Sequence, residues 1–239
     1  MNITKKFVFI HMPKTGGSFV AAVLRRLYGQ GWLHEQLLRS ERLLRLKNQI
    51  AGTVTTPDHV EFNKHGTCHE IPARVRERPI VSCMRNPFDW YVSNYKYGWW
   101  RTNPQDYIGL ADDPRWPELS FEDYMALSGT TWLQNLNKTI EVNRTLGRLT
   151  VLFINYYCQH PNEILALPAE TPDLLERIRA DMFPVRFLHT ENLNRELYDY
   201  LAEVGYEAAE LAFILEMEKI SPRNNRQQSE KWRSFYSAE

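Results

Sequence analysis

A chain of 239 residues, 43% of them hydrophobic, can bury a substantial core, and its length suits one domain spanning 1–239. Lys plus Arg equal Asp plus Glu at 29 each, so a formal charge of zero and a pI of about 7.1 give no support to a nucleic-acid or polyanion binder. No apolar run approaches the roughly 20 residues that span a bilayer, and the N-terminus lacks a signal-peptide layout. Cys68, Cys83 and Cys158 are too few and too widely spaced for a disulfide framework, so a cytoplasmic protein is expected.

The first informative stretch runs from Phe7 to Leu27. Phe7, Val8, Phe9 and Ile10 read as a buried strand, whereas Phe19, Val20, Val23, Leu24 and Leu27 recur at helical spacing. Between them lies Pro13-Lys14-Thr15-Gly16-Gly17-Ser18. Glycines at this joint let the backbone turn tightly and approach a ligand, and the following helix offers free N–H groups and a positive dipole end to an anion. Lys14, Thr15 and Ser18 would add a charge and hydroxyl donors. The helix is expected to stop near Gly29.

Leu33 to Lys47 has a second helical rhythm. Thr53 to Thr56 and Val60 to Phe62 lean to strand, and Asn63 to Glu70 reads as a loop feeding a helical turn. Pro79 to Met84 is a second core strand ending at Arg85. Asn86 as N-cap, Pro87 at the first helical position and Asp89 in the first turn predict a helix from Pro87, with Ser93 nearly two turns in. Tyr97 to Pro117 reads as a long loop rich in Trp and Tyr, either an apolar lid or the wall of an acceptor cleft.

Ser120 to Asp123 predicts a capping box, and Thr131 to Leu136 extends the helical lobe. Leu149 to Asn155 is the third expected strand. Thr171-Pro172-Asp173 predicts a helix cap ahead of Leu174, and Val185 to His189 is the fourth strand. Helices over Asn192 to Val204 and Glu207 to Glu218 precede a polar, basic tail. Strands separated by helices indicate an α/β layered fold with a central, mostly parallel sheet flanked by helices.

The glycine loop departs from the Walker A pattern, which places Lys directly after its last Gly; here Lys14 precedes the pair. A P-loop kinase or NTPase is therefore a disfavoured alternative, and a non-catalytic nucleotide-binding interaction module is another. Pro13 to Ser18 after one strand, with Arg85-Asn86-Pro87 and Ser93 after a later one, resembles the two phosphosulfate-binding motifs of the PAPS-dependent sulfotransferases. The closer likeness is to the carbohydrate-type branch that includes heparan sulfate 2-O-sulfotransferase and bacterial relatives. It covers roughly residues 5 to 30 and 60 to 97.

The resemblance implies a P-loop-like three-layer fold and transfer of a sulfuryl group from PAPS to an acceptor hydroxyl, without a metal. It implies that Lys14, Thr15, Gly16, Gly17, Ser18 and Phe19 hold the 5′-phosphosulfate and that Arg85 and Ser93 hold the 3′-phosphate. Lys14 would also neutralise charge on the departing phosphate.

For the base, His65 and His69 are candidates because imidazole titrates in the useful range. A similar Lys-His pair in bacterial relatives favours His65, with Glu70 and Glu35 as fallbacks. His59, His65, Cys68 and His69 are metal-ligand types within a short span, but their spacing matches no standard zinc knuckle. The acceptor is expected to be a sugar, lipid or small natural product. By the same resemblance, Arg223, Arg226 and Lys231 in the tail would cover the nucleotide.

Overall fold

The computed structural model describes residues 1–29, 55–56, 58–104, 110–128, 146–168, 170–218 and 232–236. The expected helices at 33–47 and 131–136, Glu35, and the tail cations Arg223, Arg226 and Lys231 lie outside them. The chain forms two compact units, Met1–Arg85 with Pro184–Pro222, and Asn86–Phe183 with Arg223–Glu239. Among the described residues no helix is long and apolar enough to cross a membrane.

The first unit is a six-stranded mixed sheet with helices. Its strands are β1 (Asn2–Thr4), β2 (Val8–Ile10), β3 (Thr55–Thr56), β4 (His59–Glu61), β5 (Ile80–Met84) and β6 (Val185–His189). Their spatial order is β3-β4-β1-β2-β5-β6. The β2, β5 and β6 strands pair in parallel, whereas β1 is antiparallel to both β2 and β4, and β3 to β4. The parallel character expected from sequence therefore belongs to one half of the sheet.

Strand β1 had no counterpart in the sequence reading. It is tied to β2 by a tight turn through the exposed Lys5 and Lys6. The Thr4 hydroxyl donates to the Phe7 carbonyl at 2.9 Å and accepts from the Lys6 and Phe7 amides at 3.2 and 3.0 Å. A Thr that satisfies three backbone groups in this way fixes the turn without glycine.

In register, Ile10 faces Ser82 and Met84 faces His189, so Cys83 and Met84 run on past the end of β2. Helix α1 (Gly17–Leu27) follows β2, and α8 (Leu193–Glu203), α9 (Ala208–Leu211) and α10 (Phe213–Glu216) follow β6. Phe7, Phe9, Val81, Cys83 and Leu188 from the sheet form one buried cluster with Phe19, Val20, Val23 and Leu24 of α1 and Leu193, Leu197, Tyr200 and Leu201 of α8. Full burial of each such side chain contributes roughly 1.5–3 kcal/mol. Helix α1 ends where Gly29 takes the left-handed conformation (φ 69°), as its position after the last apolar residue predicts.

The second unit is helical: α2 (Pro87–Tyr97), α3 (Trp99–Thr102), α4 (Phe121–Ser128), α5 (Arg148–Tyr157), α6 (Pro161–Ala166) and α7 (Leu174–Asp181), with a 3-10 turn at Trp232–Phe235. Helix α2 starts as expected, the Asn86 side chain accepting from the Phe88 and Asp89 amides at 3.0 and 3.4 Å. Helix α4 carries the expected box: Ser120 Oγ accepts from the Asp123 amide at 3.1 Å and donates to Asp123 Oδ2 at 2.6 Å.

The expected strand at Leu149 to Asn155 is instead α5. Val151, Leu152, Ile154, Asn155, Tyr156 and Tyr157 are buried round most of the helix, which erases the one-sided periodicity that marks a surface helix. Helix α7 begins at Leu174 with Asp173 left-handed (φ 59°) and no side-chain cap, so Thr171 does not cap it.

Of the aromatic segment after Tyr97, residues 105–109 lie outside the described residues, Trp99 is exposed and Trp100 is core. Trp100, Leu110, Leu119 and Tyr124 are buried together with Tyr95, Trp116 and Phe121 against them, and Tyr95 stacks on Trp100 at 5.8 Å. In the tail, Trp232 stacks on Phe88 at 5.3 Å and the Tyr236 hydroxyl donates to the Phe88 carbonyl at 3.0 Å.

Candidate functional site

The site lies in the first unit, at the carboxyl ends of β2, β5 and β6, where open α/β sheets place ligands. After Ile10 the chain passes through His11 and Met12 into a turn and enters α1 at Gly17. Lys14 is left-handed (φ 66°), as is Gly16 (φ 92°, ψ 1°) at the helix N-cap. A non-glycine residue at positive φ is uncommon, and the strain at Lys14 marks the turn as a held conformation.

Most of the turn's own groups brace it. The Thr15 hydroxyl donates to the Met12 carbonyl at 2.8 Å and Thr15 is buried, so that hydroxyl is engaged within the loop. Phe19 places its ring in the core cluster and donates its amide to the Gly16 carbonyl at 2.9 Å, which gives it a packing role. Lys14, Gly16 and Ser18 are partly exposed. The N-cap has no side-chain hydrogen bond and α1 has no acidic residue in its first turn, so nothing on the helix itself opposes an anion there.

Arg85 follows β5 directly, and its Nη1 donates to the Lys14 carbonyl at 3.1 Å. Lys14 and Arg85, about seventy positions apart in sequence, are thereby brought side by side. The guanidinium draws the left-handed Lys14 peptide toward the end of β5. On the far side of β5, the Thr190 hydroxyl donates to the Met84 carbonyl. A Cβ at position 16 would meet Leu193 Cδ2 at 2.7 Å and Thr190 Cγ2 at 3.1 Å, so the turn also abuts the start of α8. Ser93 lies in α2 of the second unit and is partly buried.

His65 joins the site through the backbone. Its Nδ1 donates to the His11 carbonyl at 3.1 Å, and because a carbonyl only accepts, the neutral ring carries its lone pair on Nε2. The residue as a whole is exposed, but shielding of the ring is the largest influence on its pKa and holds it below the usual 6.5. The bond to the His11 carbonyl pulls in the opposite sense, and Lys64 and the Met1 amino group reinforce the lowering. A neutral His65 at neutral pH follows.

The alternative bases are differently placed. Glu70 caps a short turn, accepting from Asn63 Nδ2 at 2.5 Å and the Thr67 amide at 2.7 Å. His69 is exposed. His59 is fully buried, bonded through Nε2 to Asn2 Oδ1 at 2.9 Å and stacked on Tyr28 at 5.1 Å; burial depresses its pKa to about 4. Cys68, Cys83 and Cys158 are buried thiols. Among the described residues no three His, Cys, Asp or Glu side chains gather as a metal site.

Two residues at this end of the sheet escaped the sequence reading. His189 closes β6, with its amide and Nδ1 on Glu196 Oε2 at 2.7 and 3.2 Å. His11 lies between the strand and the glycine turn and is buried. Its position between an apolar strand and Pro13-Lys14 was the available signal. No protein-family model and no curated protein matches the chain.

Proposed function

We propose that the chain is a PAPS-dependent sulfotransferase that moves a sulfuryl group to a hydroxyl of a carbohydrate, lipid or small-molecule acceptor. The observation that carries this reading is the Arg85 hydrogen bond to the Lys14 carbonyl, which joins the two motifs the resemblance rests on. Arg85 offers a planar fork suited to a phosphate, and the amides at the start of α1 suit the phosphosulfate.

In the reaction, the acceptor oxygen forms a bond to sulfur as the bond from sulfur to the bridging phosphate oxygen breaks, in line. His65 Nε2 takes the acceptor proton. Lys14 meets the negative charge that grows on the bridging oxygen, an interaction strongest in the transition state. PAP leaves with the electron pair of the broken bond.

Calorimetry with PAP, and ATP as control, tests the reading. PAP should bind more tightly than ATP. Arg85→Ala should weaken PAP by roughly 10- to 100-fold, the loss of one charge-assisted phosphate contact. His65→Ala should leave PAP binding intact and abolish turnover. Equal affinities for PAP and ATP would overturn the assignment.

A further inference from the structure

His11 is a buried, titratable ring for which the proposed chemistry has no use. Along β2 the side chains alternate, so His11 continues the face of Phe7 and Phe9, the face that packs beneath α1. Its ring lies 6.2 Å from Phe9 and 5.0 Å from the His65 ring, edge to face at 61°. Above it is the Gly17 backbone. A Cβ at position 17 would stand 2.5 Å from His11 Cγ and closer still to Cδ2 and Nε2. Gly17 is therefore required by the ring beneath it and not by a left-handed backbone.

We propose that His11 is a positioning residue for His65: its ring, seated against the Gly17 backbone, is the wall that holds the His65 ring on the His11 carbonyl with Nε2 as the basic atom. One residue thus acts twice, by its carbonyl on Nδ1 and by its ring on the imidazole face. A substitution leaves the carbonyl acceptor in place, but one without a ring removes the wall that keeps the imidazole on it. Because the same ring supports the start of α1, the base and the glycine turn share one wall.

The surroundings keep His11 out of proton transfer. Burial is the largest influence lowering its pKa well below 6.5, and His65, Lys64, the Met1 amino group and Arg25 all act in the same direction. A cation at His11 would be buried and would face the positive Lys64 and Arg25, so the ring stays neutral and serves as packing surface.

This inference rests on His65 being the base, and its test separates the two. The His65 ring is titrated by NMR in the whole chain without ligand, with its tautomer read from the ring nitrogen shifts, and kcat and KM for PAPS are measured in parallel. With His11→Ala, water reaches the ring: the His65 pKa should rise toward 6.5 and its single tautomer should be lost. In the same variant kcat should fall about 10- to 100-fold, as small misplacements of catalytic groups do, and by a larger factor than KM rises. His11→Phe retains a ring and should keep His65 near its native titration. Gly17→Ala, which forces a methyl into the space of the His11 ring, should disturb His65 as His11→Ala does, and it decides alone if His11→Ala does not fold. An unchanged His65 titration in His11→Ala, or equal loss in the Ala and Phe variants, overturns the proposal. A His65 that shifts while kcat holds overturns the role of His65 as base, and with it that of His11 as its positioner.

Discussion

Replacing Gly16 by Ala separates two contributions to the shape of the glycine turn. The first is backbone strain: at φ 92° and ψ 1° an L side chain meets its own carbonyl, a penalty of roughly 1–2 kcal/mol. The second is crowding, since the new methyl would lie 2.7 Å from Leu193 Cδ2 and 3.1 Å from Thr190 Cγ2. Leu193 Cδ2 ends a flexible side chain, but Leu193 is buried in the core cluster and retreats only by displacing its neighbours. Overpacking of this kind costs about 1 kcal/mol at the low end.

The sum, roughly 2–3 kcal/mol, lowers the melting temperature by about 5–10 °C at the size of this chain. Gly29→Ala is the matched control. It also has positive φ (69°), but among the described residues nothing lies within 4 Å of its Cβ, so it carries the strain alone and should lose about 3–6 °C. Thermal unfolding followed by circular dichroism gives both values. Equal losses at the two positions would refute the contact of the turn with α8, and no loss at Gly16 would refute its left-handed conformation.

The remaining expectations concern charge and capping. Turnover should rise with pH through an acid limb whose midpoint lies below 6.5, because a base with a lowered pKa becomes competent earlier as pH increases; a limb above 6.5 in the pH–rate profile refutes His65 as base. His59, whose pKa is about 4 folded against 6.5 unfolded, favours the native state fully above pH 6.5 and loses about 3 kcal/mol of that as pH falls to 4. In urea titrations at pH 7 and 4.5, His59→Gln should therefore lose less stability on acidification than the parent, and parallel behaviour refutes the assignment. Ser120→Ala removes a cap and should destabilise α4 by about 1 kcal/mol, seen as faster amide exchange in its first turn; unchanged exchange refutes the box.

What could be read from the residues follows from how local the determining physics is. The strand, glycine turn and α1 were legible because the apolar period changes from strand to helix across a Gly pair, and Asn86-Pro87 announced α2 by cap chemistry alone. Arg148 to Tyr157 was misread because a short β-branched and aromatic run buried round most of its surface has no period to distinguish strand from helix. Its length, continuing through Tyr156 and Tyr157, was the better guide. Strand β1 was missed because three residues followed by two lysines carry little signal, and its order comes from pairing with strands on both sides. At the site, Arg85 was legible as a motif. The use of Thr15 and Phe19 for bracing and packing was not, since it depends on where Met12 and the core lie.

The unequal ends of β2 and β5 make a step in the sheet edge. With Ile10 level with Ser82, two residues of β5 stand beyond β2, a rise of roughly 7 Å at 3.3 Å per residue. The segment from His11 to Pro13 climbs this riser and brings the Lys14 carbonyl to the height of Arg85, so spacing governs the contact as much as residue type does. Removing Met12 would drop the turn down the step, away from the guanidinium, without altering a glycine or a strand. The count of residues between Ile10 and Gly16 thus sets where an anion cradled by α1 would stand relative to Arg85.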